Sequence, residues 1–147
     1  MNKVRVMIVE DSDVIRQYLE HIISQDPRLH VAAAVASGEE ALRRLRRVSP
    51  DVISMDIRLP GMDGFEATQR IMSEKPTPIV VISANVETDE LKITMNALRA
   101  GALTVLEKPV GMTHEDYSSL AERICTQLVI MSEVKVISQR SARTSML

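Results

Sequence analysis

Tryptophan is absent from the 147 residues, and Phe65, Tyr18 and Tyr117 are the whole aromatic complement. A core drawn from this chain is therefore mostly aliphatic. The single cysteine, Cys125, excludes an internal disulfide and fits a reducing compartment. No apolar run approaches the ~20 residues of a membrane-spanning helix. The N-terminal MNKVRVMIVE turns acidic at Glu10 before a signal-length apolar stretch builds, so secretion is not expected and a cytoplasmic location is. No excess of one charge exists either. The net charge is −2, which predicts no general attraction to nucleic acid or to an anionic membrane. Against these absences stand 45% apolar and 26% charged residues, the balance of a globular protein, in a length that suits one domain.

Lys3–Val9 is a near-continuous apolar run, the mark of a strand covered on both faces. Ser12 or Asp13 can cap a following helix whose apolar face is Val14, Ile15, Tyr18, Leu19, Ile22 and Ile23, stopped by Asp26-Pro27. The alternation repeats. His30–Ala36 is a second strand. Ser37-Gly38-Glu39-Glu40 opens a second helix, with Ala41, Leu42, Leu45 and Val48 inward and a break at Ser49-Pro50. Asp51–Met55 is a third strand ending at Asp56, and Phe65–Ser73 a short helix. Ile79–Ile82 is a fourth strand. Glu87–Ala100 is a helix with Leu91, Met95 and Leu98 inward and Gly101 as C-cap. Leu103–Leu106 is a fifth strand. A last helix starts at Thr113 or His114 and runs to about Met131, with Tyr117, Leu120, Ala121, Ile124 and Leu128 inward. Five strands alternating with five helices predict an α/β, doubly wound parallel sheet of flavodoxin-like order 2-1-3-4-5, with helices on both faces. Residues 1–131 form the domain. Residues 132–147, polar and without a clear period, are a linker or tail, with room for an effector domain beyond it.

Ligands of such sheets bind outside the carboxyl ends of the strands. Glu10 and Asp11 follow the first strand, Asp56 the third, Ser83-Ala84 the fourth, and Glu107-Lys108-Pro109 the fifth. The predicted strand order brings Glu10, Asp11 and Asp56 together, with Ser83 and Lys108 on the far side. Clustered carboxylates repel unless a cation joins them, and Mg²⁺ takes oxygen ligands of this kind. Lys108 adds a point charge for a phosphoryl oxygen, and Ser83 a hydroxyl donor. These parts suit phosphoryl transfer to a carboxylate, with Asp56 as nucleophile, Asp11 and Glu10 as metal ligands, and Gly61 and Gly64 freeing the loop behind.

Each group alone has a plainer reading. Asp56 could cap the next helix, Glu10 and Asp11 the first one; Lys108 could be a surface lysine and Ser83 a strand-end hydroxyl. Their joint placement favours the site. Arg43, Arg44, Arg46 and Arg47 form a solvated basic face. His21, His30 and His114 have no ligand spacing, and Cys125 is a buried small hydrophobe.

Glu10-Asp11, Asp56 with Pro60-Gly61-Met62-Asp63-Gly64 behind it, Ser83-Ala84 and Lys108-Pro109 together resemble the receiver domain of two-component response regulators. The resemblance spans residues 3 to about 130. It implies that a histidine kinase donates a phosphoryl group to Asp56 with Mg²⁺ bound. It implies direct metal contacts from Asp11 and Asp56, joined by the main-chain carbonyl of Arg58. Ser83 and Lys108 would contact the phosphoryl group, and the Lys108-Pro109 bond would be cis. Ala97–Ala102, Glu107-Lys108-Pro109 and the Met131–Val136 tail are similar to the regulatory half of the chemotaxis protein-glutamate methylesterase. That likeness implies an effector domain in cis, whereas a single-domain receiver would act on a protein partner. No enzyme beyond self-phosphorylation and dephosphorylation is expected within residues 1–147. The sequence departs from the receiver pattern at Val105, where an aromatic switch residue usually stands.

Two other functions fit less well. An aspartate-nucleophile phosphatase wants an acid two residues after the nucleophile and places the nucleophile after the first strand; here Arg58 holds that position and Asp56 follows the third. A flavin or nucleotide module wants a phosphate-binding loop after the first strand, where Glu10-Asp11 would repel phosphate in the absence of metal.

Overall fold

Strands that are nearly continuous in apolar residues need cover on both sides, and these obtain it from two helical layers. The computed structural model describes residues 2–83, 96–108 and 114–137, without the side chains of Glu107, His114 and Glu115. The strands are β1 (Val4–Val9), β2 (Leu29–Val35), β3 (Val52–Asp56), β4 (Ile79–Ser83) and β5 (Thr104–Glu107). The helices are α1 (Asp13–Gln25), α2 (Gly38–Val48), α3 (Gly64–Glu74), a segment at 96–100 that we label α4, and α5 (His114–Ser132). All strands are parallel, in the order β2-β1-β3-β4-β5. The expected fold class is the observed one.

Pleating sorts the aliphatic residues between the layers. Val6, Ile8, Val52, Val80 and Ile82 pack with Ile15, Leu19 and Ile23 of α1 and Leu120, Ile124 and Leu128 of α5. Met7, Val9, Ile53, Met55 and Val81 pack with Ala41 and Leu45 of α2, Ala67 and Ile71 of α3, and Ala97. Cys125 is buried in the first cluster. Tyr18 and Tyr117 meet edge-on across the α1–α5 seam, with ring centroids 5.8 Å apart.

The helix starts follow from local chemistry. Ser12 caps α1 by accepting the Ile15 N–H, and Ser37 caps α2 by accepting the Glu40 N–H at 3.1 Å. Gly101 closes α4 at φ +116°, donating its N–H to the Ala97 carbonyl.

The strand bounds differ from the sequence reading by a residue: β2 begins at Leu29, β3 is Val52–Asp56, and β5 is Thr104–Glu107. The inward sets of two helices need correction. Val14 is 76% exposed, because α1 buries a narrow stripe of Ile15, Leu19 and Ile23 and leaves Val14 on its shoulder. Leu98 is 47% exposed, because α4 lies close to the core through Ala97 and Ala100 and turns Leu98 outward. The expected inward positions Leu91 and Met95 lie outside the described residues, as do Ala84, the Lys108-Pro109 bond, Thr113 and residues 138–147. The chain continues past α5, and Val136 packs against the cluster on the α2–α3 side while Val134 and Ile137 are exposed. Val134, Val136 and Ile137 form no repeating pattern that would single out Val136 for such packing.

Candidate functional site

The parallel register sets the carboxyl ends of four strands side by side. Val9 pairs with Met55, Asp56 with Ile82, and Ser83 with Glu107. The residues at and just after those ends converge. Glu10 is 1% exposed and Asp56 3%, while Asp11 is exposed at the rim. One carboxylate oxygen from each of Glu10, Asp11 and Asp56 lies within 4.8 Å of the others. Lys108 reaches in from the end of β5. Its Nζ stands 2.9 Å from Glu10 Oε1 and 3.1 Å from Asp56 Oδ1.

Several backbone groups fix this arrangement. Glu10 Oε2 accepts the Ser12 N–H at 3.1 Å, and the Arg16 guanidinium donates to the Glu10 carbonyl at 2.9 Å. Asp56 Oδ1 accepts the Arg58 N–H at 3.3 Å. The Lys108 N–H donates to the Ser83 carbonyl at 3.0 Å, which ties the residue after β5 to the end of β4. Asp56 Oδ2 is buried and has no hydrogen-bond partner among the described residues.

The plainer readings of these residues give way. Asp63 caps α3 by accepting the Glu66 N–H at 2.9 Å, so Asp56 does not. Ser12 is the N-cap of α1, and although Glu10 Oε2 accepts the Ser12 N–H, Glu10 also meets Lys108, so serving the helix start is not its whole role. Lys108 has a side chain only 11% exposed and is no surface lysine.

Three carboxylates against one ammonium leave a surplus of negative charge in a largely buried place. The Asp56 carboxyl responds most. Burial, then the hydrogen bond and charge of Glu10, push its pKa up from 3.8 to about 7, against the opposing pull of Lys108. For Lys108, burial favours loss of the proton, but the Glu10 hydrogen bond and the charges of Asp56 and Glu10 outweigh it and raise its pKa. The donor set is all oxygen, it carries surplus negative charge, and Asp56 Oδ2 lacks a partner among the described residues. Those are the requirements of a hard divalent cation such as Mg²⁺, so the residues fit one.

The fold thus gathers Glu10, Asp11, Asp56 and Lys108 as the sequence predicts. Ser83 is buried at the end of β4, next to them, and Arg58 is exposed in the loop that follows β3. Val105 sits opposite Val81, half-buried against the α2–α3 cluster, with no ring at that position. Sequence reasoning missed the Ser12 amide, Arg16 and Glu39. Glu39 contacts the loop after β3 from 23 residues away in the chain, and no periodicity marks such a contact.

Residues 6–115 match the family described as "Response regulator receiver domain". The chain is 59% identical over 137 residues to protein-glutamate methylesterase/protein-glutamine glutaminase 2 of Paramagnetospirillum magneticum, covering 93% of this chain and 39% of that protein. It spans about two fifths of the length of the curated relatives it matches. The response regulator domain of Thermotoga maritima CheB superimposes with a TM-score of 0.81 at 32% identity, over 91% of this chain and 99% of that one. A CheX–CheY–BeF3–Mg²⁺ complex from Borrelia burgdorferi aligns with a TM-score of 0.71 at 26% identity, over 90% of each chain. No helix among the described residues is long and apolar enough to cross a membrane. With its five parallel strands in this order and its acidic cluster at their carboxyl ends, the chain belongs to the response regulator receiver domain family, and regulatory domains of chemotaxis methylesterases are among its relatives.

Proposed function

We propose that this chain is a phosphorylation-controlled switch in which Asp56 accepts a phosphoryl group from a histidine kinase. The observation that carries the reading is the convergence of Glu10, Asp11 and Lys108 on Asp56, whose Oδ2 has no partner among the described residues. Asp11 and Asp56 would hold Mg²⁺, with Glu10 behind them and the Arg58 main-chain carbonyl as a further ligand. The bound ion supplies charge neutralisation for phosphoryl oxygens and carboxylates alike. A carboxylate oxygen of Asp56 forms the new O–P bond as the P–N bond to the donor histidine breaks, and the pair of electrons leaves with the imidazole. Lys108 is released from part of its attachment to Asp56 and holds a phosphoryl oxygen, and the Ser83 hydroxyl donates to another. Residues 1–131 act as the receiver unit, in the cytoplasm, and residues 132–147 lead toward an effector. The relatives' names point to a protein-glutamate methylesterase domain in cis, which would be the output. The neighbour from Borrelia burgdorferi carries BeF3, a phosphoryl-like group, together with Mg²⁺ on the same fold, which supports the chemistry proposed here.

The test is a mass measurement after incubation with Mg²⁺ and a small acyl phosphate donor. One added phosphoryl group is expected, lost in Asp56→Asn and lost without Mg²⁺. Wild-type protein that stays unlabelled with several donors overturns the reading. Sustained turnover of an external phosphomonoester would replace it with a phosphatase.

A further inference from the structure

The loop between β3 and α3, residues 57–63, is fastened at two places. At its base, Gly64 donates its N–H to the Ile57 carbonyl at 2.8 Å. A Cβ on Gly64 would stand 2.1 Å from the Asp56 carbonyl oxygen and 2.7 Å from Ile57 Cα, so α3 begins in contact with the end of β3. At its tip, the loop meets the first turn of α2. Gly61 has φ +72°, and a Cβ there would stand 2.6 Å from Glu39 Oε2. The same oxygen accepts the Met62 N–H at 3.4 Å. One residue earlier, a Cβ on Gly38 would lie 3.1 Å from Ala67 Cβ and 3.4 Å from Met62 Sδ. Two successive α2 residues therefore touch the loop closely.

Glu39 and Glu40 share the first turn of α2 and point different ways. Glu40 reaches Arg44 one turn along the same helix at 3.7 Å. Glu39 turns across to the loop and buries Oε1 there without a partner among the described residues. An acid serving the helix dipole can do so from its own helix, as Glu40 does, and does not need to reach a neighbouring loop. A buried carboxylate oxygen without a partner costs free energy, and the contact of Oε2 with Gly61 and Met62 is what holds the side chain there.

We infer that Glu39 is a positioning residue: it pins the tip of the 57–63 loop and thereby sets where the Arg58 backbone stands beside Asp56. This rests on the proposed Mg²⁺ site. Fixing such a supporting group is worth about tenfold in metal affinity. The experiment titrates Mg²⁺ calorimetrically into the full chain for wild type, Glu39→Ala and Glu39→Gln, with amide hydrogen exchange at Met62 and far-UV circular dichroism on each. Glu39→Ala should bind Mg²⁺ about tenfold more weakly and lose protection at Met62 while keeping wild-type helix content. Glu39→Gln, which retains an oxygen acceptor of the same reach, should recover most of both. Wild-type affinity and Met62 protection in Glu39→Ala overturn the inference and leave the receiver reading standing. Equal losses in Ala and Gln also overturn it, because charge at the helix start would then be the cause. A wild-type chain that takes up no Mg²⁺ overturns the site and the inference together.

Discussion

Asp56→Asn keeps the shape of the side chain and removes its charge, which isolates the electrostatic cost of the metal-free site. Burial, then Glu10, raise the Asp56 pKa from 3.8 to about 7, with Lys108 opposing. The folded chain therefore holds this proton more tightly than the unfolded chain. The stability linked to it is fully present below the unfolded pKa and is lost as pH rises through about 7. The interval of about three units, at 1.36 kcal/mol per unit, amounts to about 4 kcal/mol for an unscreened group. The site opens at the strand ends, and solvent at that rim reduces the figure to about 2 kcal/mol. Urea unfolding followed by far-UV circular dichroism, in chelator, from about pH 4 to about pH 8 tests this. Wild type should lose about 2 kcal/mol across the range relative to Asp56→Asn, and the variant should be the more stable protein at the alkaline end. The substitution also removes the charge that Glu10 and Lys108 feel, so the difference curve reports the Asp56 carboxyl together with its coupling to those two groups. Adding Mg²⁺ near pH 8 should then stabilise wild type and leave the variant almost unmoved. A difference curve that is flat, or that rises in favour of wild type with pH, refutes the reasoning.

Lys108→Ala leaves the buried carboxylates of Glu10 and Asp56 without their shared ammonium. It should destabilise the metal-free protein by about 3 kcal/mol near pH 8 and by less near pH 5, while still binding Mg²⁺ but transmitting phosphorylation poorly to its partner. Unfolding curves at both pH values and a partner-response assay check it. Gly64→Ala drives a Cβ into the Asp56 and Ile57 backbone and should cost about 3 kcal/mol, with a visibly lower Tm. Val14→Ser should change stability by no more than about 0.5 kcal/mol, since Val14 is exposed, whereas Ile15→Ser one residue later should cost several times as much.

The sheet was legible because both-sided burial writes itself as near-continuous apolar runs: β4 shows one, β1 is interrupted only by Arg5 and β3 only by Ser54. Ser12, Ser37 and Gly101 were legible because caps are local, set by one side chain and the next few amides. The acidic cluster could be assembled on paper because strand order alone brings strand ends together. What failed depended on neighbours that sequence does not specify. Val14 and Leu98 have the right spacing for a buried face, yet each helix buries a stripe narrower than its apolar arc, and the width is decided by the partner layer. Strand order placed Lys108 at the site, but its bridging of Glu10 as well as Asp56 was not specified by that order. Glu39 gave no hint, because an acid in the first turn of a helix has an ordinary explanation that hides a tertiary one.

The poverty in rings has an optical consequence. Tryptophan is missing, and both tyrosines, Tyr18 and Tyr117, stand edge-on in the α1–α5 seam. Tyrosine fluorescence and the tyrosine bands of the near-ultraviolet spectrum therefore report on one place. Tyr117 lies in the first turn of α5, the helix that follows the Lys108 segment. The molecule carries an unlabelled gauge, and it reads only the layer on that face. A spectrum that shifts when Asp56 is modified locates the response in α1 and α5; a silent one sends it to the opposite layer, where Val105 and Val136 pack.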